Sequence, residues 1–208
     1  NKFEYTKDLD ILKSSGNGLV FIRSKNLNIE FDNAFFDQKN SILRANGNIK
    51  IKQTDKDLII VTDKIIYDQK NSQINSDTQT TLTDNLKNEY IVDNFLYEID
   101  KSLIKVINLR FKDIENNNLK TPLAYINTDT NKLFGKDVDI NLNNSSFNKE
   151  NEPRLKGNSV IYDNKNTEIT KGVFTTCKKR DGCPPWRMSA EKIQHDKKKQ
   201  TIYYENTH

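Results

Sequence analysis

The side chains with the greatest chemical potential in this sequence are two histidines and two cysteines. His195 follows a strand-like segment and His208 is the last residue, and neither lies in a His-Glu-x-x-His or Gly-x-Ser-x-Gly motif. Catalytic and metal-binding motifs need fixed spacings because several side chains must meet at one atom. The aspartates fall mainly at expected turns, where carboxylates accept bonds from backbone amides, and no pair is singled out for acid–base work. The sequence therefore predicts a protein that is not an enzyme and carries no metal ion or cofactor.

The two cysteines form a second candidate site. Cys177 and Cys183 enclose the segment Lys-Lys-Arg-Asp-Gly and are followed by Pro184-Pro185-Trp186. With the histidines they do not match the ligand spacing of a zinc finger. A disulfide is the default in an oxidising compartment, whereas buried free thiols would fit a cytosolic protein. The two either pair with each other across the basic turn or pair with cysteines outside this sequence.

A six-fold repeat with a period near 30 residues organises most of the chain. Each unit has an aromatic or branched lead residue (histidine in the sixth), an acidic or amide residue directly after it, and an aliphatic residue seven positions after the lead. Such a period is typical of stacked units that are each too small to hold a core alone. His195, in the lead column, is expected to be a half-buried ring at a strand end. The six units are Phe36-Asp37 with Leu43, Tyr67-Asp68 with Ile74, Tyr97-Glu98 with Ile104, Ile126-Asn127 with Leu133, Tyr162-Asp163 with Ile169, and His195-Asp196 with Ile202.

The apolar residues alternate with polar ones, as in Ile49 and Ile51, and no helical period persists. Alternation buries one face of a strand and leaves the other in water. Hydrophobic content is only 34%, so the interior must be thin, and Asn and Asp supply most of the turns. We expect Gly47, Gly135 and Gly172 to mark bulges. The sequence predicts an all-β fold: one domain over residues 1–208, an elongated antiparallel roll of two facing sheets built from about six two-strand units.

The charge distribution argues against nucleic acid as a partner. The net charge is +4 with both signs interleaved, and the dense basic runs Lys178–Arg180 and Lys197–Lys199 fall at expected turns. A nucleic-acid binder would cluster its cations on one face or arm. No apolar run approaches the roughly 20 residues of a membrane-spanning helix. Because both ends of the sequence interrupt the pattern, we expect a fragment of a longer protein.

The C-terminal segments resemble a known family. Thr175-Thr176-Cys177, Cys183-Pro184-Pro185-Trp186, Ala190–Ile193 and Ile202–Asn206 resemble the end of the periplasmic domain in the LptD (organic solvent tolerance) family of lipopolysaccharide-assembly proteins, in its alphaproteobacterial form. The upstream repeat is similar to the OstA-like domain that the LptD, LptA and LptC families share. The resemblance therefore covers nearly the whole chain.

This resemblance implies an OstA-like β-jellyroll whose two sheets open as a V around an apolar groove, on the periplasmic side of the Gram-negative outer membrane. The lipid A acyl chains of lipopolysaccharide would lie in the groove on their way to an outer-membrane barrel, which is absent from this sequence. Further implied partners are an LptA-like bridge protein, bound by edge-strand addition at the N-terminal end, and an LptE-like lipoprotein. Cysteines in this region of the family form disulfides, in some members to the barrel, which makes Cys177 and Cys183 the candidates. The residues expected to line the groove are Ile65, Tyr67, Phe95, Tyr97, Ile107, Leu109, Phe111, Val138, Ile140, Leu142, Val160 and Tyr162.

Two other functions fit the same pattern. A soluble bridge protein of the LptA or LptC kind would share the fold without a barrel. A carbohydrate-binding or adhesin-type β stack would carry no lipid, and each residue of the expected groove would then be ordinary closed core.

Overall fold

The architecture is all-β, as the sequence predicts, in a computed structural model that describes residues 2–143, 145, 151–178 and 186–207. No helix in these ranges is long and apolar enough to cross a membrane. Every strand pair whose register is defined is antiparallel, which confirms the predicted pairing. The strands of the described residues are β1 (Lys2–Thr6), β2 (Ile11–Ile22), β3 (Leu27–Asp37), β4 (Ile42–Gln53), β5 (Leu58–Asp68), β6 (Gln73–Ser76), β7 (Thr80–Thr83), β8 (Glu89–Val92), β9 (Asn94–Glu98), β10 (Leu103–Lys112), β11 (Asn118–Asn127), β12 (Lys132–Asn141), β13 (Arg154–Tyr162), β14 (Asn166–Thr175), β15 (Met188–Asp196) and β16 (Thr201–Thr207).

Each repeat unit is a β-hairpin, and the acidic or amide residue of the repeat builds its turn. Asp68 shows the chemistry: its carboxylate accepts bonds from the backbone N–H of Asn71 at 3.0 Å and from the Asn71 amide at 2.7 Å. These bonds lower the pKa of Asp68. The equivalent side chains of Asp37, Asn127, Asp163 and Asp196 likewise accept a bond from the backbone N–H three residues on.

The third unit has a different turn. Glu98 is followed by a 3₁₀ turn, Ile99–Lys101, and its carboxylate accepts a bond from the Lys101 ammonium at 2.7 Å. The four remaining strands have two sources. β1 and β2 precede the first repeat. β7 follows β6 after a short interruption, and β8 precedes β9 in the same way, so that each pair takes the place of one long strand.

The chain forms two compact units, Asn1–Val106 and Ile107–His208, with the boundary inside β10. In unit 1 the strand order is β1-β2-β3-β4-β5-β6-β9, and β7 pairs with both β5 and β8. In unit 2 the order from β11 to β16 follows the sequence. A single domain over residues 1–208 stays a prediction.

In unit 1 each long strand bends back so that its two halves lie in facing layers. Tyr97 lies in a cross-strand row with Ile74, Tyr67 and Leu43. Gln53 lies ten residues beyond Leu43 on β4, about 33 Å away along a straight strand. Nevertheless the Tyr97 hydroxyl donates a hydrogen bond to the Gln53 side chain. The two halves of β4 must therefore face each other, with the apolar residues between them.

Left-handed residues in mid-strand produce the bends. The register shifts between Asn46 and Ile49, where Gly47 and Asn48 have positive φ. A bulge of this kind inserts extra residues and re-aims the strand. The prediction for Gly47 agrees with this geometry. In β12 and β14, however, the left-handed residues are Asp137 and Lys171, so neither Gly135 nor Gly172 is the bulge residue itself.

Unit 2 has the same two-layer interior, held by a buried aromatic cluster. Tyr162, at the end of β13, shares a row with Leu133 and Ile126. Its ring contacts Phe111 edge-on at a centroid distance of 4.7 Å, and its hydroxyl donates to the Asp113 carboxylate at 2.7 Å. Asp113 lies in the turn at the opposite end of these strands, so the interior is enclosed on this side.

Buried aspartate turns recur in both units. Asp113 accepts bonds from the backbone N–H groups of Glu115 and Asn117, at 3.0 and 2.8 Å, and from the Asn117 amide at 2.9 Å. Asp84 in unit 1 makes the equivalent bonds and accepts the hydroxyl of Tyr90 at 2.8 Å. Burial and this carboxylate raise the pKa of Tyr90 well above its usual value. Both motifs have the spacing Asp-x-x-x-Asn.

A buried ion pair completes the cluster in unit 2. The Lys197 ammonium lies 3.4 Å from the Asp113 carboxylate and 3.7 Å from the centroid of the Tyr162 ring, with side-chain exposures of 7% and 3% for the ion pair. Burial lowers the pKa of Lys197, although Asp113 opposes this shift. Burial, reinforced by Lys197, also lowers the pKa of His195. His195 is half-buried at a strand end, as predicted, and its Nδ1 has no hydrogen-bond partner in the described part of the chain.

We expect Asp113→Ala to lower the free energy of unfolding by about 3–5 kcal/mol, because it leaves the Lys197 ammonium buried without its partner. Equilibrium urea unfolding of the purified chain measures the change. The exposed turn variant Asp55→Ala is the control and should match the wild type. A loss in Asp113→Ala no larger than that of the control would show that the ion pair does not stabilise unit 2.

His195 should make stability depend on pH. Because its folded pKa lies below the unfolded value of 6.5, the unfolded chain takes up the proton first as the pH falls. Stability is therefore lost as the pH decreases through the window below 6.5. We expect His195→Gln to flatten the fall in urea midpoint between about pH 7 and pH 5. Equal slopes in the two proteins would contradict this assignment.

Candidate functional site

The residues expected to line a lipid groove lie in the interiors of the two units. Eleven of the twelve are buried and Ile107 is half-buried. Ile65, Tyr67, Phe95 and Tyr97 belong to unit 1, and the others to unit 2. The void beside Phe111, Ile140, Leu142 and Tyr162 has a volume of only about 10 Å³. Phe111, Ile140 and Tyr162 therefore form closed core in this conformation. The role of the twelve residues as a lipid-binding lining stays a prediction.

An open apolar groove exists elsewhere, at the N-terminal end of unit 1. This N-terminal groove has a volume of about 530 Å³ and lies between the two layers of strands β1 to β5. Most of the side chains that line it are apolar, and Arg23, Ser24 and Gln69 lie at its mouth. Its lining residues are Phe3, Leu12, Ser14, Leu19, Val20, Phe21, Ile22, Arg23, Ser24, Phe31, Ala34, Phe36, Leu43, Tyr67 and Gln69.

Small side chains in one inward-facing row leave the space for the groove. Ser14 pairs with Ala34, and Ala34 pairs with Ala45, so three adjacent strands present short side chains at the same level. The Ser14 hydroxyl is buried and has no hydrogen-bond partner among the described residues. Phe3 and Phe21 flank the opening with exposures of 65% and 62%. An apolar guest could therefore cover aromatic surface that water now contacts.

Polar contacts between turns close the interior of unit 1 farther along, beyond the N-terminal groove. Lys25 forms an ion pair with Asp100, and Lys56 donates to the Ser102 hydroxyl. Both contacts join turns at opposite ends of the strands. At the groove, Arg23, Ser24 and Gln69 line the mouth instead. This arrangement suits an amphiphile with an apolar chain inside and a polar group at the mouth.

The first long strand has an open edge beside the groove. β1 pairs with Ile11–Ser15 only, which leaves Gly18–Ile22 paired to β3 on one side and to no described strand on the other. All five residues of β1 are exposed. An open edge of this kind can accept a strand from another chain.

Most of the groove was not predictable from the repeat. Of the twelve residues expected to bind lipid, Tyr67 is the one that lines it. The signal was present in Leu12-x-Ser14 and Ala34-x-Phe36, where a small residue replaces a large one at an inward position. Reading it required the cross-strand register, which places Ser14 beside Ala34.

The cysteine site is partly outside the described residues, because Cys183 falls there. Cys177 is half-buried, and its Sγ lies 3.7 Å from the Trp186 carbonyl oxygen. Thr175 donates its hydroxyl to the same oxygen at 2.8 Å, and the Trp186 ring lies 6.0 Å from that of Phe174. The predicted disulfides stay predictions. Within the described ranges, no group of three His, Cys, Asp or Glu residues is placed to hold a metal ion.

Comparison with known proteins finds a structural similarity but no sequence match. No protein-family model matches the chain, and no curated protein matches it. A similar solved structure is that of LptH from Pseudomonas aeruginosa, described as the LptA-homologous periplasmic component of the conserved lipopolysaccharide transport device. The two are 13% identical with a TM-score of 0.48, and the match covers 55% of this chain and 84% of LptH.

Proposed function

We propose that this chain takes part in lipopolysaccharide transport, as a periplasmic module that holds the acyl chains of the lipid in an apolar groove. The observation that carries the proposal is the open N-terminal groove of about 530 Å³, lined mainly by apolar side chains. The resemblance of the repeat and of the cysteine–tryptophan segment to lipopolysaccharide-assembly proteins supports the same conclusion.

The free energy needed to expose an acyl chain to water is large, which is why a carrier needs such a groove. Each methylene group removed from water stabilises the bound state by about 0.8 kcal/mol, so that an acyl chain of roughly twelve methylenes costs on the order of 10 kcal/mol to expose. A carrier must therefore cover the chain throughout its passage. The volume of the groove falls within the range of about 300–1,000 Å³ that is usual for small-ligand sites.

The buried residues of the two interiors have a defined place in this proposal. The groove ends at Leu43 and Tyr67, which pair across β4 and β5, and Tyr67 pairs with Ile74. A lipid that moved inward from the groove would next meet this row and then Tyr97. Such movement requires the bridges Lys25–Asp100 and Lys56–Ser102 to separate. The Lys25–Asp100 pair is partly exposed, and exposed ion pairs are weak.

The finer assignment is to a periplasmic domain of the LptD type, positioned beside an outer-membrane barrel and its lipoprotein partner. The segment from Thr175 to Trp186 supports this reading over a soluble LptA-like or LptC-like bridge. Mass spectrometry of the full-length protein without reduction would distinguish the two. A Cys177 or Cys183 disulfide to a barrel cysteine is expected for the LptD type.

Filling the groove should prevent acyl-chain binding. In Ser14→Phe the new ring occupies the space above Ala34, and no hydrogen bond is lost because the hydroxyl has none. We expect affinity for a fluorescent fatty acid to fall at least about tenfold, which corresponds to about 1.4 kcal/mol. The measurement is a fluorescence titration of each folded protein, with folding checked by circular dichroism.

The neighbouring variant Ser15→Leu is the matched control, since residue 15 faces outward and does not line the groove. It should bind the fatty acid like the wild type. Unchanged affinity in folded Ser14→Phe would rule out the N-terminal groove as the acyl site.

The open edge at Gly18–Ile22 is the proposed attachment point for an LptA-like bridge protein. Main-chain bonds would supply affinity, and the exposed side chains of Leu19 and Phe21 would supply further contacts. A photoreactive amino acid at Leu19 is expected to crosslink to the LptA-like protein of the same organism. The control position is Tyr203 on β16, also exposed. Equal crosslinking from both positions, or from neither, would contradict attachment at this edge.

A further inference from the structure

A second concavity lies on the outer face of the same strands and has the opposite chemistry. This outer trough has a volume of about 580 Å³ and crosses β1 to β5. It takes in four cationic side chains, those of Lys2, Lys13, Arg44 and Lys64, and one carboxylate, that of Glu4. The function proposed above does not use it.

Two rows of outward-facing residues form the walls. The first row runs Lys13–Phe35–Arg44, and these residues are direct cross-strand partners. The second row lies two residues along each strand and includes Asn33 and Asn46, which are also partners. By strand geometry the rows are about 7 Å apart, and the five strands span about 19 Å. The trough is therefore long and narrow, which suits a linear ligand.

The residues that line the trough carry more positive than negative charge. Lys2 pairs with Glu4 at 2.5 Å, and Lys64 pairs with Asp77 at 3.4 Å. Lys13 and Arg44 form no ion pair within the part of the chain that the structure describes. Lys13 is attracted to Glu4 and Arg44 to Asp37, but neither cation forms an ion pair with these carboxylates. Both cations, on either side of one aromatic ring, therefore indicate an anionic ligand.

The uncharged residues narrow the ligand class. The Asn33 side-chain amide donates to the side-chain oxygen Oδ1 of Asn46 at 3.4 Å, which leaves the Asn33 oxygen as an acceptor and the Asn46 NH₂ group as a donor for a ligand. A paired donor and acceptor matches adjacent hydroxyl groups, which both give and receive hydrogen bonds. Phe35, half-buried between the two cations, adds an apolar surface for the C–H face of a sugar ring. The carboxylates of an acidic peptide would use the cations and its backbone would use the amide pair, but a peptide such as hexaglutamate offers no ring face to Phe35.

We infer that the outer trough binds a linear anionic oligosaccharide, with Lys13 and Arg44 at its phosphate or carboxylate groups and Asn33 and Asn46 at its hydroxyls. This is a saccharide-binding activity distinct from acyl-chain binding, on the other face of the sheet. Its polar contacts should weaken as salt increases, because exposed charges are screened.

The test is isothermal titration calorimetry with four probes: a phosphorylated core oligosaccharide freed of lipid, the same oligosaccharide after dephosphorylation, trigalacturonate and hexaglutamate. The double variant Lys13→Gln/Arg44→Gln removes both cations. We expect it to bind the phosphorylated probe about tenfold more weakly than the wild type does. The control Lys120→Gln/Lys136→Gln removes two exposed strand lysines of unit 2 and should bind normally.

The dephosphorylated oligosaccharide should bind more weakly than the phosphorylated one, and the other three probes each have a defined meaning. Binding of the phosphorylated probe or of trigalacturonate, weakened in the double variant, supports the site and identifies phosphate or carboxylate as the preferred group. Hexaglutamate that binds as tightly as the saccharides would overturn the proposal in favour of an acidic protein partner. Equal loss in the unit 2 control, or no binding of any saccharide, would also overturn it.

The amide pair gives a second, independent variant. Asn33→Ala/Asn46→Ala keeps every charge and should weaken saccharide binding. Fatty-acid titrations on the same proteins separate the two proposals. If the wild type binds the fatty acid but no saccharide, the trough is contradicted and the groove is not. If it binds a saccharide but no fatty acid, the groove is contradicted and the trough is not.

Discussion

The bend in the middle of each long strand is the constraint on which the rest of this structure depends. The described residues form one sheet and contain no α-helix to serve as a second layer, so the sheet must cover its own apolar face. Left-handed residues such as Asn48 and Asp137 make this possible by re-aiming the strand. A one-residue slip on either side of a bend would turn the buried side chains outward. The position of the bend therefore fixes which residues become core, groove or outer surface.

How tightly the two layers close depends on what joins the turns at their ends. In unit 2 the Lys197–Asp113 pair and the Tyr162 hydroxyl are buried together, and the void beneath them is almost nil. In unit 1 the Lys25–Asp100 pair is exposed and the Lys56–Ser102 bond is partly buried. Around Ser14 and Ala34 the side chains are too short to fill the space between layers. The open groove thus results from local side-chain volume, while the fold is the same throughout.

Sequence alone predicted the features that depend on near neighbours. The Asp68 turn could be anticipated because donor and acceptor are three residues apart. Alternation in β4 and β12 gave the strand faces for the same reason. The buried cluster of Asp113, Tyr162 and Lys197 in unit 2 could not be anticipated, because Asp113 is 49 residues from Tyr162 and 84 residues from Lys197 in the sequence. Nor could the bulges at Asp137 and Lys171, since neither residue type signals a left-handed conformation as glycine does. The fifth hairpin departs from the repeat too: Ile169 pairs with Val160 instead of Tyr162.

The N-terminal groove and the outer trough of unit 1 lie on opposite faces of the same sheet, which is a single residue thick. Along β2, Ser14 faces the groove while Lys13 and Ser15 face the trough. An amphiphile with acyl chains in the groove and an anionic saccharide in the trough must pass around an edge of that sheet. The edge strand β1 is short and covers only Ile11–Ser15, where both concavities adjoin. The second half of β2, Gly18–Ile22, is a separate length of edge. A partner strand bound there would extend the groove and leave the passage around β1 unobstructed, so that attachment and ligand binding need not compete.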